Sequence, residues 1–78
     1  MQNLMMRIEY DAESDMAYIY LTEIAAGAAK RTIPGSHGSV RINLDLDAEG
    51  HLLGIEVFDA GRVLPPELRT NAVTEPGA

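Results

Sequence analysis

The sequence predicts an α+β fold that is mainly β: an antiparallel meander of four to five strands, with a short C-terminal helical segment packed on one face. Three observations lead there. From Val40 to Phe58, apolar Val40, Ile42, Leu44 and Leu46 alternate with Arg41, Asn43, Asp45 and Asp47, and the alternation resumes at Leu53, Ile55 and Val57. A two-residue period of this kind marks a half-buried strand. Between the two runs, Asp47-Ala48-Glu49-Gly50 has the chemistry of a tight turn, with Gly50 supplying the positive φ of a G1 bulge after a type I turn. Finally, Asp59 is placed to cap a helical turn over Ala60 to Leu64, which Pro65 and Pro66 interrupt.

Taken in order, Met1 to Met5 form a lead-in, and Arg7-Ile8-Glu9-Tyr10 alternates as a first strand with Ile8 and Tyr10 on one face. Asp11 to Asp15 is a turn of short polar side chains that bond to nearby backbone. Met16 to Leu21 is a second strand, with Ala17, Ile19 and Leu21 on one face and Met16, Tyr18 and Tyr20 on the other. Thr22 to Ala29 reads as loop, broken at Gly27. Lys30 to Ile33 reads as a short edge strand ended by Pro34 and Gly35, and Gly35 to Ser39 as a flexible turn. Past the central hairpin, Pro66-Glu67-Leu68-Arg69 opens a second helical turn, and Val63, Leu64 and Leu68 are placed to cover the sheet. The expected organisation is one small domain over 1–69 and a disordered tail over 70–78.

Composition narrows the functional classes. Twelve acidic residues against six basic ones give a formal charge of −6, which argues against binding to nucleic-acid backbones and is compatible with a basic protein partner. The absence of cysteine excludes disulfides and thiolate metal sites. No apolar run is long enough to span a bilayer, and the first residues lack the pattern of a secretory signal, so the expected location is cytoplasmic.

Asp45, Asp47 and Glu49 stand at positions one, three and five of a calcium-loop pattern, with Gly50 at six, Leu53 at eight and Glu56 at twelve. Such loops join helices, whereas these flanks have strand period, so the competing reading is a plain hairpin turn with Asp45 and Glu56 exposed on strands. Asp11, Glu13 and Asp15 form a second acidic group, read as a solvated turn. His37 and His51 have no metal-ligand spacing, although His51 lies close enough to feel Asp47 or Glu49. No serine has a nucleophile-elbow context, and Gly35 to Gly38 is no phosphate loop. The chain is therefore expected to be no enzyme and to need no cofactor.

The remaining signal is the second face of the sheet. Met16, Tyr18, Tyr20, Leu52 and Phe58 would all lie there, opposite Ile19, Ile42 and Ile55. Aromatic and Met side chains are enriched at interfaces, so this face is expected to bind a partner or a second copy, the competing reading being that the helical segment and the Ala-rich loop cover it.

The residues Tyr10-Asp11, Asp15-Met16-Ala17-Tyr18-Ile19, Leu44-Asp45-Leu46-Asp47-Ala48-Glu49-Gly50, Gly54-Ile55-Glu56 and Phe58-Asp59-Ala60 resemble the small prokaryotic family known as domain of unknown function 2283. The resemblance covers about Ile8 to Leu64 and brings no catalytic residue. Members of that family often resemble the antitoxin half of toxin–antitoxin pairs. For this chain, that resemblance implies an antitoxin-like, non-enzymatic interaction module that forms a homodimer or binds a basic protein. The calcium-binding hairpin is the alternative.

Overall fold

Five antiparallel strands form one sheet in the computed structural model, which describes residues 6–70 together with 73 and 74. The strands are β1 (Arg7–Asp11), β2 (Met16–Tyr20), β3 (Arg31–His37), β4 (Val40–Leu46) and β5 (Leu52–Val57). Two short helices follow, α1 (Ala60–Val63) and α2 (Pro66–Thr70), and β6 (Val73–Thr74) then adds to β1 in parallel. The expected lead-in Met1–Met5 lies outside the described residues. So does the expected tail at 71–72 and 75–78, whereas Thr70 closes α2 and Val73–Thr74 is paired.

The strand order is β3-β4-β5-β2-β1-β6, which departs from the order of a simple meander. β2 lies beside β5 instead of β3. The sheet is thus a β1–β2 hairpin set against a β3–β4–β5 meander. The 21–30 connection, a loop as expected, runs past the sheet end, tied by the Leu21 N–H to the Leu53 carbonyl and by the Lys30 N–H to the Leu46 carbonyl. β3 is also longer than expected. It continues through Pro34 and Gly35 to His37, and a two-residue turn at Gly38–Ser39 delivers Val40 opposite His37. Because a two-residue turn is flanked by a hydrogen-bonded pair and pair types alternate, Pro34 opposite Asn43 falls on a non-hydrogen-bonded pair. Its ring nitrogen turns away from β4, so proline costs the ladder nothing here.

The β4–β5 turn is as the sequence indicates. Gly50 N–H donates to the Asp47 carbonyl at 3.1 Å, Asp47 N–H to the His51 carbonyl at 2.9 Å, and Gly50 has φ 88°. Two cross-sheet rows then define one face. Ile8, Ile19, Ile55, Leu44 and Ile33 stand in one row, and Tyr10, Ala17, Val57, Ile42 and Gly35 in the next. α1 and α2 pack on the second row near β1 and β2. Ala17, Val57, Ala60 and Leu64 form the buried cluster there, and Ile8, Ile19, Ile42, Ile55 and Val63 pack around it. Leu68, expected to cover the sheet, is 38% exposed.

The cap of α1 differs from expectation. Asp59 takes a left-handed conformation and makes no side-chain cap bond. Asp15, at the end of the β1–β2 turn, does the capping: its backbone carbonyl accepts from Ala60 N–H at 2.9 Å and its Oδ1 from Gly61 N–H at 2.8 Å. Tyr10 Oη donates to the same Oδ1 at 2.8 Å. These are the first-turn donors that every helix leaves open.

Candidate functional site

The opposite face carries most of the chemistry. Strand register places Arg7, Tyr20, Gly54, Asp45 and Thr32 in one row, and Glu9, Tyr18, Glu56, Asn43 and Pro34 in the next. Tyr18 and Tyr20 therefore have carboxylates within reach on neighbouring strands. Tyr18 Oη donates to Asp45 Oδ2 at 2.7 Å, and Thr32 Oγ1 donates to the other oxygen of Asp45 at 2.7 Å. Tyr20 Oη donates to Glu9 Oε1 at 3.1 Å, while Arg7 pairs with Glu9 and stands 4.0 Å over the Tyr20 ring. Asn43 donates to Glu56 Oε1 at 3.0 Å. The Tyr18 and Tyr20 rings meet edge to face at 4.6 Å, and Arg41 covers Phe58 at 4.4 Å.

Gly54 makes room for this arrangement. The Tyr18 ring lies across it so closely that a Cβ there would sit 2.5 Å from Tyr18 Cε2. Burial, and then the hydrogen bond to Asp45, push the Tyr18 phenol well above its ordinary range.

The second face is thus more polar than its residues alone indicate. Met16, Tyr18, Tyr20 and Phe58 lie on this face, half-buried, but among carboxylates, Asn43 and two arginines. Leu52 leaves the set: a register shift between Asp45 and Leu46 brings it opposite Leu46 and breaks its alternation with Gly54 and Glu56. The sequence marks these aromatics, but their acidic partners sit up to 27 residues away and become visible only once the strand order is known. Two hollows open on this face, one of about 410 Å³ bordered by Glu9, Asp11, Met16, Tyr18 and Glu56, the other of about 340 Å³ between Pro34, Ser36, Arg41 and Phe58.

The calcium-pattern residues separate. Asp45 is held by Tyr18 and Thr32, and Glu56 by Asn43. Asp47, Glu49 and His51 gather at the exposed turn with ligand atoms within 4.8 Å of one another. Asp47 Oδ1 accepts from the N–H groups of Glu49 and His51 at 2.9 and 2.8 Å, and Oδ2 lies 3.2 Å from His51 Nδ1. The His51 N–H above all draws the Asp47 carboxyl below its usual range. The expected influence of this turn on His51 is thus seen as contact, with Glu49 at 3.6 Å on the other side. In the first acidic group, Asp11 accepts from Glu13 N–H and Ser14 Oγ, which is turn chemistry, whereas Asp15 is the cap of α1.

Fold and surface together define a small α+β protein: one sheet, helices on part of one face and a hydrogen-bonded tyrosine–carboxylate layer on the other. Over residues 7–60 the sequence matches the family described as "Protein of unknown function (DUF2283)", and the chain belongs to that family. No curated protein and no solved structure matches it. Among the described residues, no helix is long and apolar enough to cross a membrane.

Proposed function

We propose that this protein is a non-enzymatic interaction module whose contact surface is the part of the aliphatic face that its helices leave open. The observation that carries the reading is the Ile33–Leu44–Ile55–Ile19–Ile8 row, which crosses five strands while the helices cover β1, β2 and the Val57 end of β5. Ile33 is 40% exposed at the outer end, and no buried cluster forms over β3 and β4 among the described residues. An apolar half-face of this kind is a recognition surface or a liability. On the tyrosine face, by contrast, the hydroxyls already have carboxylate partners, which supports a scaffold role there. An antitoxin-like role is the most concrete form of this reading and rests on the family resemblance.

The experiment is affinity capture with the full chain, comparing wild type with Ile33→Asp. Specific partners held by wild type and lost from the variant are expected. Equal capture by both would remove the open face from the reading.

A second reading, a cation held at the β4–β5 turn, has the convergence of Asp47, Glu49 and His51 in its favour. Calorimetric titration with calcium separates the two. Heat that disappears in Glu49→Gln supports the cation, and silence at millimolar calcium ends it.

A further inference from the structure

We infer that the occupant of the open face is a second copy of this chain, stacked sheet to sheet about a twofold axis that runs parallel to the strands. The inference rests on the reading of the chain as an interaction module and names its partner.

Three features of the molecule favour a second copy in this geometry. The first is the distribution of charge. Every carboxylate on the described strands whose register places it on a face (Glu9, Asp11, Asp45 and Glu56) projects to the tyrosine face. The aliphatic face receives none from β1 to β5, so two chains of charge −6 can approach there with their strand carboxylates turned outward. The second is complementarity at one end of the contact. Arg31 pairs with Leu46, which places it at the sheet end where β4 runs into the Asp47–Gly50 turn. In a stack about an axis along the strands, β3 of one copy lies over β4 of the other. Arg31 then comes over the partner copy's acidic turn, where Glu49 is 80% exposed, and symmetry makes the pair twice. The third is the edge. The outward nitrogen of Pro34 interrupts the row of donors that edge-to-edge pairing through β3 requires, and so favours the face over the edge.

The helices fix how far the sheets overlap. They stand over β1, β2 and the Val57 end of β5, so the open β3–β4 parts meet in the middle with the helices flanking them outside. Sheets stack about 10 Å apart with interleaved side chains, here Ile33 and Leu44 of each copy. Two overlapping strands about 4.8 Å apart and about 23 Å long give a footprint of roughly 200 Å² per copy. Standard interfaces bury about 800 Å² per partner, so the dimer is weak and reversible.

Sedimentation velocity of the full chain from micromolar to millimolar concentration tests this. Wild type is expected to pass from monomer to dimer across that range. Ile33→Asp, which puts a charge at an exposed position and keeps the fold by circular dichroism, should weaken the dimer at least about tenfold by forcing that charge into an apolar contact. Arg31→Glu should weaken it by about threefold to tenfold, and Arg31→Glu combined with Glu49→Arg should recover most of the loss. A wild-type monomer at every concentration overturns the second copy as occupant, yet leaves capture of another protein as a separate question. A dimer that Ile33→Asp does not weaken overturns the face, and a charge swap that recovers nothing overturns the axis.

Discussion

The two faces of this sheet are built from the same alternating strands but held by different physics. On the aliphatic face, order comes from burial, and only where α1 and α2 supply a second layer: Ala17 and Val57 are 2% and 3% exposed, while Ile33, four strands from Ile8 in the same row, is 40% exposed. On the tyrosine face the described residues supply no second layer, and order comes from side chains that lie along the sheet and bond to one another. An uncovered sheet face therefore need not be sticky. Tyr18 and Tyr20 put apolar rings against the sheet and hydroxyls on Asp45 and Glu9, so the face open to water is the polar one. The vulnerable surface is the half-covered aliphatic one.

The largest effect comes from lifting the second layer off the aliphatic face. Asp15→Ala removes the acceptor shared by Tyr10 and Gly61 and leaves the helix start uncapped, for an expected loss of about 2–3 kcal/mol. Urea unfolding should show it, with Asp15→Asn recovering most of the stability because the acceptor is kept. Next comes the tyrosine face. Gly54→Ala should cost about 1–3 kcal/mol, since the new methyl collides with the Tyr18 ring. The same substitution in a Tyr18→Ala background should cost clearly less, and a double-mutant cycle measures that coupling. If the two costs simply add, the ring does not lie over Gly54.

Tyr18→Phe is a milder probe, expected to cost about 1 kcal/mol at neutral pH through the lost bond to Asp45. Its sharper signature is in alkali. The Tyr18 phenol is raised in the folded state, so the unfolded chain gives up its proton first. Stability should then fall as pH climbs through the ordinary tyrosine range, and the Tyr18→Phe chain should lose less there. The smallest effect belongs to the exposed β4–β5 turn. The Asp47 carboxyl is lowered in the folded state, so its contribution is present above the ordinary carboxylate range and fades as pH falls through the lowered value. Urea midpoints followed into acid should decline less steeply for Asp47→Asn than for wild type.

How much of this was legible in the sequence depended on distance along the chain. The Asp47–Gly50 turn was readable because its bonds span three or four residues and need only Asp and Gly at fixed spacing. The two-residue period of β1, β2, β4 and β5 was readable for the same reason. What failed was non-local. The apolar reading of Met16, Tyr18, Tyr20, Leu52 and Phe58 treated strands one at a time, whereas the partners of Tyr18 and Tyr20 come from other strands whose order no local pattern encodes. Leu52 was misassigned because a one-residue bulge reverses alternation without leaving a residue-type signal. Asp59 looked like a cap by position and type, and lost that role to Asp15, 46 residues before the amide it caps. Pro34 reads correctly as an edge-strand residue, but it does not end β3, because an outward nitrogen lets the strand run on.

The Asp15 bond to Gly61 also has a consequence for how the chain reaches its fold. It joins the second element boundary of the domain to the second residue of α1, and β2 waits for β5 across the whole β3–β4 hairpin. Contacts of such long sequence separation form late and slowly, because the intervening loop must be closed before they return any free energy. During synthesis, the β1–β2 hairpin therefore lacks its neighbouring strand and its cap until Val57 and Gly61 have been made.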